Sequence, residues 1–127
     1  MFFSTSLVIP AQTTPALPAR KVLRVAEGTV WHVWVRWKWG SACLCGARMK
    51  YQEFQYWPMS PNEWFPSDVL GLDFDEKLVI GEAPFELSIE GYNRDDSYSH
   101  EVWVAWDIIR EDPLAGRRGF IRRLMGV

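Results

Sequence analysis

The sequence predicts an all-β domain, an antiparallel β-sandwich or small jelly roll with an extended N-terminal arm and a basic C-terminal tail. Three observations carry this prediction. Residues 29–39 alternate: Trp31, Val33, Val35, Trp37 and Trp39 fall on one side, His32, Arg36 and Lys38 on the other. That is the period of a strand with one apolar and one wet face. Similar short runs recur between Gly, Pro, Asn and Asp turn residues about every 8–12 positions, as in sandwiches and barrels. No segment of residues 21–110 repeats its apolar positions at the 3.6-residue period of a helix.

Size and charge narrow the class further. A chain of 127 residues is one domain, long enough to hide roughly two thirds of its unfolded surface. Apolar residues make up 48%, which excludes wholesale disorder. No apolar run is long enough to cross a membrane as a helix. The net charge of −2 disfavours a general nucleic-acid binder, so neither nucleic acid nor membrane is an expected partner. The segment before Arg20 lacks the basic start of a secretory signal, and its apolar patch is cut by Pro10, so no leader is expected.

Residues 1–20 carry Pro10, Pro15 and Pro18, and no charge before Arg20. Prolines at that spacing forbid a helix and favour extended backbone. Phe2, Phe3, Leu7, Val8 and Ile9 give the segment apolar area that a solvated tail would avoid. The expectation is therefore an arm outside the domain, either loose or docked on a neighbouring subunit. Residues 21–110 form the folded zone. It opens with a short strand over 21–26, a turn at Glu27 and Gly28, and the long strand 29–39. Residues 43–51 read as a second strand, with Cys43, Cys45, Ala47, Met49 and Tyr51 on its apolar side.

Residues 57–68 hold three prolines and three aromatics, the pattern of an irregular loop that packs on something. Two weak strand segments follow, at 69–74 and 78–80. A cleaner strand has Phe85, Leu87 and Ile89 inward and Glu86, Ser88 and Glu90 outward. A polar turn over 91–99 leads to the closing strand 100–109, with Val102, Val104, Trp106 and Ile108 inward. Residues 111–127 change character. Arg117, Arg118, Arg122 and Arg123 outnumber Glu111 and Asp112, and Leu114, Phe120, Ile121, Leu124 and Met125 are interspersed. Such a basic amphipathic tail suits its own domain or a protein partner.

Sequence patterns for catalysis are weak. Cys43 and Cys45 lie two apart on one strand, where a mutual disulfide would strain the backbone, so free thiols are expected. With His32 and His100 they would supply four zinc ligands, but alternation sets His32 on the opposite face. Asp73, Asp75 and Glu76, or Asn93, Asp95 and Asp96, are oxygen-rich, yet neither has calcium-loop spacing, and turn capping accounts for Asn93 and Asp95. No nucleophile elbow and no glycine-rich phosphate loop is present. The expectation is a non-enzymatic protein with no cofactor and no metal.

Eight tryptophans are more than a core this size needs. Trp34 and Trp103 fall on wet faces, and Trp57 and Trp64 in the proline-rich loop, which marks them as contact residues. Residues 85–106, "FELSIEGYNRDDSYSHEVWVAW", with "SPNEWFPSDVL" upstream, resemble the closing hairpin of small β-rich virion proteins of tailed phages. The similarity spans residues 22–108 and carries no active-site residues. It implies a structural role, most directly capsid cement or decoration, with a tail or head-to-tail connector component as the alternative. The implied location is the virion, assembled in the host cytoplasm, with the major capsid protein or another virion subunit as partner. A homo-oligomer, a trimer above all, would suit a symmetry axis of the shell. A carbohydrate-binding sandwich using exposed tryptophans is the reading from a different class. Expected partner-binding residues are Phe2, Phe3, Leu7, Val8, Ile9, Trp34, Trp57, Trp64, Trp103, Arg117, Arg118, Phe120, Arg122 and Arg123.

Overall fold

The computed structural model describes residues 1–38 and 43–110. Among them are nine strands and no helix: β1 (Phe2–Ile9), β2 (Ala19–Arg24), β3 (Gly28–Trp37), β4 (Cys45–Tyr51), β5 (Phe54–Trp57), β6 (Phe65–Pro66), β7 (Gly71–Ile80), β8 (Glu86–Asn93) and β9 (His100–Ile109). Sheet A has the order β1-β9-β3-β7, and sheet B the order β2-β8-β4-β5, with β6 also paired to β4. Every pairing is antiparallel. The chain passes between sheets after β1, β2 and β3, stays in sheet B from β4 to β6, then alternates again through β9. That interleaving is the strand order of a jelly roll, and the all-β sandwich predicted from the alternating pattern is present.

The two inner faces meet in one core. Val33, Val35 and Trp37 of β3, Cys45, Ala47 and Met49 of β4, Leu87 and Ile89 of β8, and Val102, Val104, Trp106 and Ile108 of β9 are all buried there. Successive side chains of a strand point to opposite faces, so these two-apart runs account for the amphipathic pattern. Trp57 of sheet B and Trp106 of sheet A cross the core with ring centroids 6.1 Å apart.

Five sequence readings need correction. The first concerns the arm. Residues 2–9 are strand β1, hydrogen-bonded along β9 from Phe2 opposite Asp107 to Ile9 opposite His100. Leu7 and Ile9 are buried core residues, and Ile9 packs where Gly91 leaves space: a β-carbon on Gly91 would stand 2.4 Å from Ile9 Cδ1. The three prolines all follow the strand, so they shape the β1–β2 connection and leave β1 its full ladder. The polar run Ser4-Thr5-Ser6 hides the alternation that places Phe3, Leu7 and Ile9 inward.

The second is Trp31. A bulge between Val30 and His32 gives β3 one extra residue against β9, where Val30 pairs with Ile108 and His32 with Asp107, so Val30 takes the core position and Trp31 is half-buried. Trp39 lies outside the described residues. Third, Cys43 is exposed at φ 65° ahead of β4, whereas Cys45 is buried. Fourth, the two segments at 69–74 and 78–80 are one strand, β7; the inward Glu76 between them masked its continuity. Fifth, the proline-rich stretch is not wholly irregular. Trp57 ends β5 inside the core, and Pro66 pairs at the sheet edge opposite Gly46.

Candidate functional site

The outer face of sheet A gathers three aromatic residues that the core does not use, Phe2, Trp34 and Trp103. Beyond its bulge, β3 directs His32, Trp34 and Arg36 away from the core. In register with them stand Asp107, Ala105 and Trp103 of β9, and Asp75, Asp73 and Gly71 of β7. On the far side of β9, Ser4 of β1 is opposite Ala105, which places Phe2 on the diagonal. Ala105 faces outward between β1 and β3 and is nonetheless fully covered. Its small side chain lets larger rings meet above the middle of the sheet. Phe2 meets Trp34 edge-on at 5.4 Å between centroids, and Trp103 at 6.3 Å. The Arg36 guanidinium lies 5.8 Å from the Trp103 ring centroid.

The β7 side of this patch is charged. His32 packs against Trp34 with ring centroids 4.5 Å apart and planes tilted by 58°. Its Nε2 lies 2.7 Å from Asp73 Oδ2 and its Nδ1 2.8 Å from Asp75 Oδ1. Hydrogen bonds to these two carboxylates hold the imidazole pKa above its ordinary value, because only the doubly protonated ring donates from both nitrogens. The face therefore has an apolar centre of Phe2, Trp34 and Trp103, edged by Arg36, His32, Asp73, Asp75 and Asp107. It is equipped to bury a complementary apolar surface and to fix its orientation by charge.

The other predicted contact residues divide. Val8 is exposed on β1, and Phe3 is partly buried against the core. Leu7, Ile9 and Trp57 are core residues, not partner contacts, because the alternation of β1 and the end of β5 turn them inward. The Trp57 indole Nε1 donates to Glu76 Oε2 at 2.8 Å, which explains why an acidic residue occupies an inward position of β7. Trp64 is already engaged on the outer face of sheet B: Arg48 lies 4.1 Å from its ring centroid, and Tyr92 meets it edge-on at 5.0 Å. Arg48 and Lys50 in turn share Glu90, at 2.8 and 3.0 Å. Arg117, Arg118, Phe120, Arg122 and Arg123 lie outside the described residues.

The candidate metal sets are parted by strand geometry. Cys45 is buried with Sγ on Asn93 Oδ1, far in role from His32 on the outer face of sheet A. Asp73 and Asp75 face outward, while Glu76, the neighbour of Asp75, faces inward. Asn93 and Asp95 serve the turn. Asn93 Nδ2 donates to the carbonyls of Ile9 and Tyr98, and Asp95 accepts from the amides of Ser97 and Tyr98 and pairs with His100. Those bonds hold the Asp95 carboxyl below its ordinary pKa. Sequence reading missed His32, Arg36, Asp73 and Asp75 as parts of one face. Their alternation with Trp34 was visible, but the pairing of β3 with β7 was not. Scans of the chain against family models and against curated proteins find no match.

Proposed function

We propose that this chain is a non-enzymatic structural protein of tailed-phage virions, of the capsid cement or decoration type, that docks on neighbouring shell subunits through the outer face of sheet A. The observation that supports this reading is the Phe2–Trp34–Trp103 patch with its charged border. Tryptophan and arginine dominate interface energetics, and tryptophan buries large area at low entropic cost. An apolar centre inside a polar rim is the anatomy of a protein interface. The ring planes of the patch are tilted, by 62° for Phe2 against Trp34 and 35° for Phe2 against Trp103. Such a surface interdigitates with side chains better than it stacks flat on a sugar, which favours a protein partner over a glycan on this face.

With β1 fixed in sheet A, clamping rests on this face rather than on an N-terminal arm. A trimer at a symmetry axis would present three copies of the face and so gain avidity from modest individual contacts. The test is whether the protein travels with purified particles. It is expected in mass spectra of intact virions, and the double variant Trp34→Ala/Trp103→Ala should rebind stripped particles at least about tenfold more weakly, a loss of about 1.4 kcal/mol. Absence from particles, or unchanged rebinding by the variant, overturns the reading.

A further inference from the structure

A strand at the end of a sheet has one open edge, and folded proteins blunt such edges with short strands, prolines or lysines. Three edges of this sandwich are blunted. β5 and β6 share one edge in pieces of four and two residues, with Pro58 and Pro66. β2 is six residues long, follows Pro18 and carries Arg20, Lys21 and Arg24. At β1, Lys21 Nζ reaches over from β2 and donates to the Ser6 carbonyl at 3.0 Å. The fourth edge is β7. It is ten residues long, contains no proline, and pairs only with β3 among the described residues. Its burial alternates without a break from Gly71 to Val79, so the strand stays regular past the irregular pairing at Trp31.

The side chains of β7 select its partner. Asp73, Asp75, Lys77 and Val79 follow one another on the exposed side. Lys21, Lys38 and Lys50 are each bonded within the chain. Lys77, the fourth lysine, has no ion pair among the described residues. The Asp75 side chain is 96% exposed and gives only Oδ1 to His32. The strand thus carries one unpaired cation beside an accessible carboxylate, and a second β7 can answer both.

Facing repeats every two residues, so an antiparallel two-fold pairing matches like faces only when it is centred on a residue. Centred on Phe74, it would set Asp73 against Asp75 twice. Centred on Asp75 or Lys77, it would bring like charges together on the axis at the exposed side. Centred on Glu76, it sets Asp75 of each copy opposite Lys77 of the other. On the inner side Phe74 then meets Leu78, and Leu72 meets Ile80. Opposite charges and apolar pairs directly across a ladder stabilise it. Glu76 itself, on the axis, reaches across its own sandwich to the Trp57 indole of sheet B.

We propose that two copies of this chain pair through β7, antiparallel and centred on Glu76, joining their four-stranded A sheets edge to edge. The pairing uses the edge of sheet A and leaves its outer face open, so it does not depend on the docking role.

The experiment is sedimentation velocity on the full chain from about 1 to about 300 µM, since one edge pairing is a small interface with a Kd in the micromolar range. The wild type should pass from 14.8 kDa to twice that mass. Lys77→Glu and Asp75→Lys each put like charges at both pairs and should weaken the dimer at least about tenfold. Both side chains are exposed, and far-UV circular dichroism checks that each variant keeps its strands. An equimolar mixture of the two variants should dimerise again, because every reversed charge then meets one of opposite sign. A wild type at monomer mass throughout, or a trimer in place of the dimer, overturns the proposal. So does a dimer that Lys77→Glu leaves intact, a mixture that stays monomeric, or a dimer abolished by Trp34→Ala/Trp103→Ala.

Discussion

Adjacent residues of β1 allow a sharp test of whether this strand belongs to the core. Ile9 is fully buried against the Gly91 backbone of the opposite sheet, whereas Val8 beside it is 57% exposed. Ile9→Ala removes buried methyl and methylene groups and leaves a cavity that the two hydrogen-bonded sheets cannot collapse. Substitutions of this kind cost about 2–5 kcal/mol. Domains of this size hold about 5–15 kcal/mol in total, so the loss would be a large share. Val8→Ala removes atoms that already meet water, and surface changes of that kind stay within about 0.5 kcal/mol. Urea denaturation followed by far-UV circular dichroism measures both. The expected result is a midpoint for Ile9→Ala far below wild type, with an unchanged slope, and a Val8→Ala curve overlaying wild type. Equal curves for Ile9→Ala and Val8→Ala would refute the placement of β1, since only a loose arm treats the two positions alike.

Further outcomes follow from the same geometry. Trp106→Ala should cost about 3–5 kcal/mol, and Trp31→Ala distinctly less, because the bulge takes Trp31 out of the core; comparable melting temperatures would contradict the bulge. Burial pushes the Cys45 thiol up to about 11, so iodoacetamide at mildly alkaline pH should label the native chain once, at exposed Cys43, and peptide mapping shows whether Cys45 reacts. His32 should titrate above the ordinary histidine value by NMR and return toward it in Asp73→Asn/Asp75→Asn. Its raised native pKa makes its stabilising contribution complete below the unfolded value and lost as pH rises through the native one; a contribution that grows with pH would reverse the assignment. Glu90 is held below its ordinary pKa by Lys50 and Arg48 despite its burial, so its contribution is present above the unfolded value and fades as pH falls through the native one. Glu90→Gln, read by thermal melting, should flatten that acid limb.

The sequence by itself determined the fold class and most of the facing of the strands. Where one face is buried, side chains must alternate, and the runs at 33–37, 45–51, 87–89 and 102–108 carry that requirement in plain view. It also marked Trp34 and Trp103 as surplus to the core. Tertiary structure decided the rest, because it depends on partners distant along the chain. The strand at 2–9 has too polar a middle to announce itself, and is made a strand by the ladder that β9 offers it. The bulge at Trp31 is a property of three strands in register, which no local pattern encodes. The candidate site has the same origin. Phe2, Trp34 and Trp103 are brought into one patch by the order β1-β9-β3. Hydrophobic periodicity reports which way a side chain points; only strand order and register report which other side chains it meets.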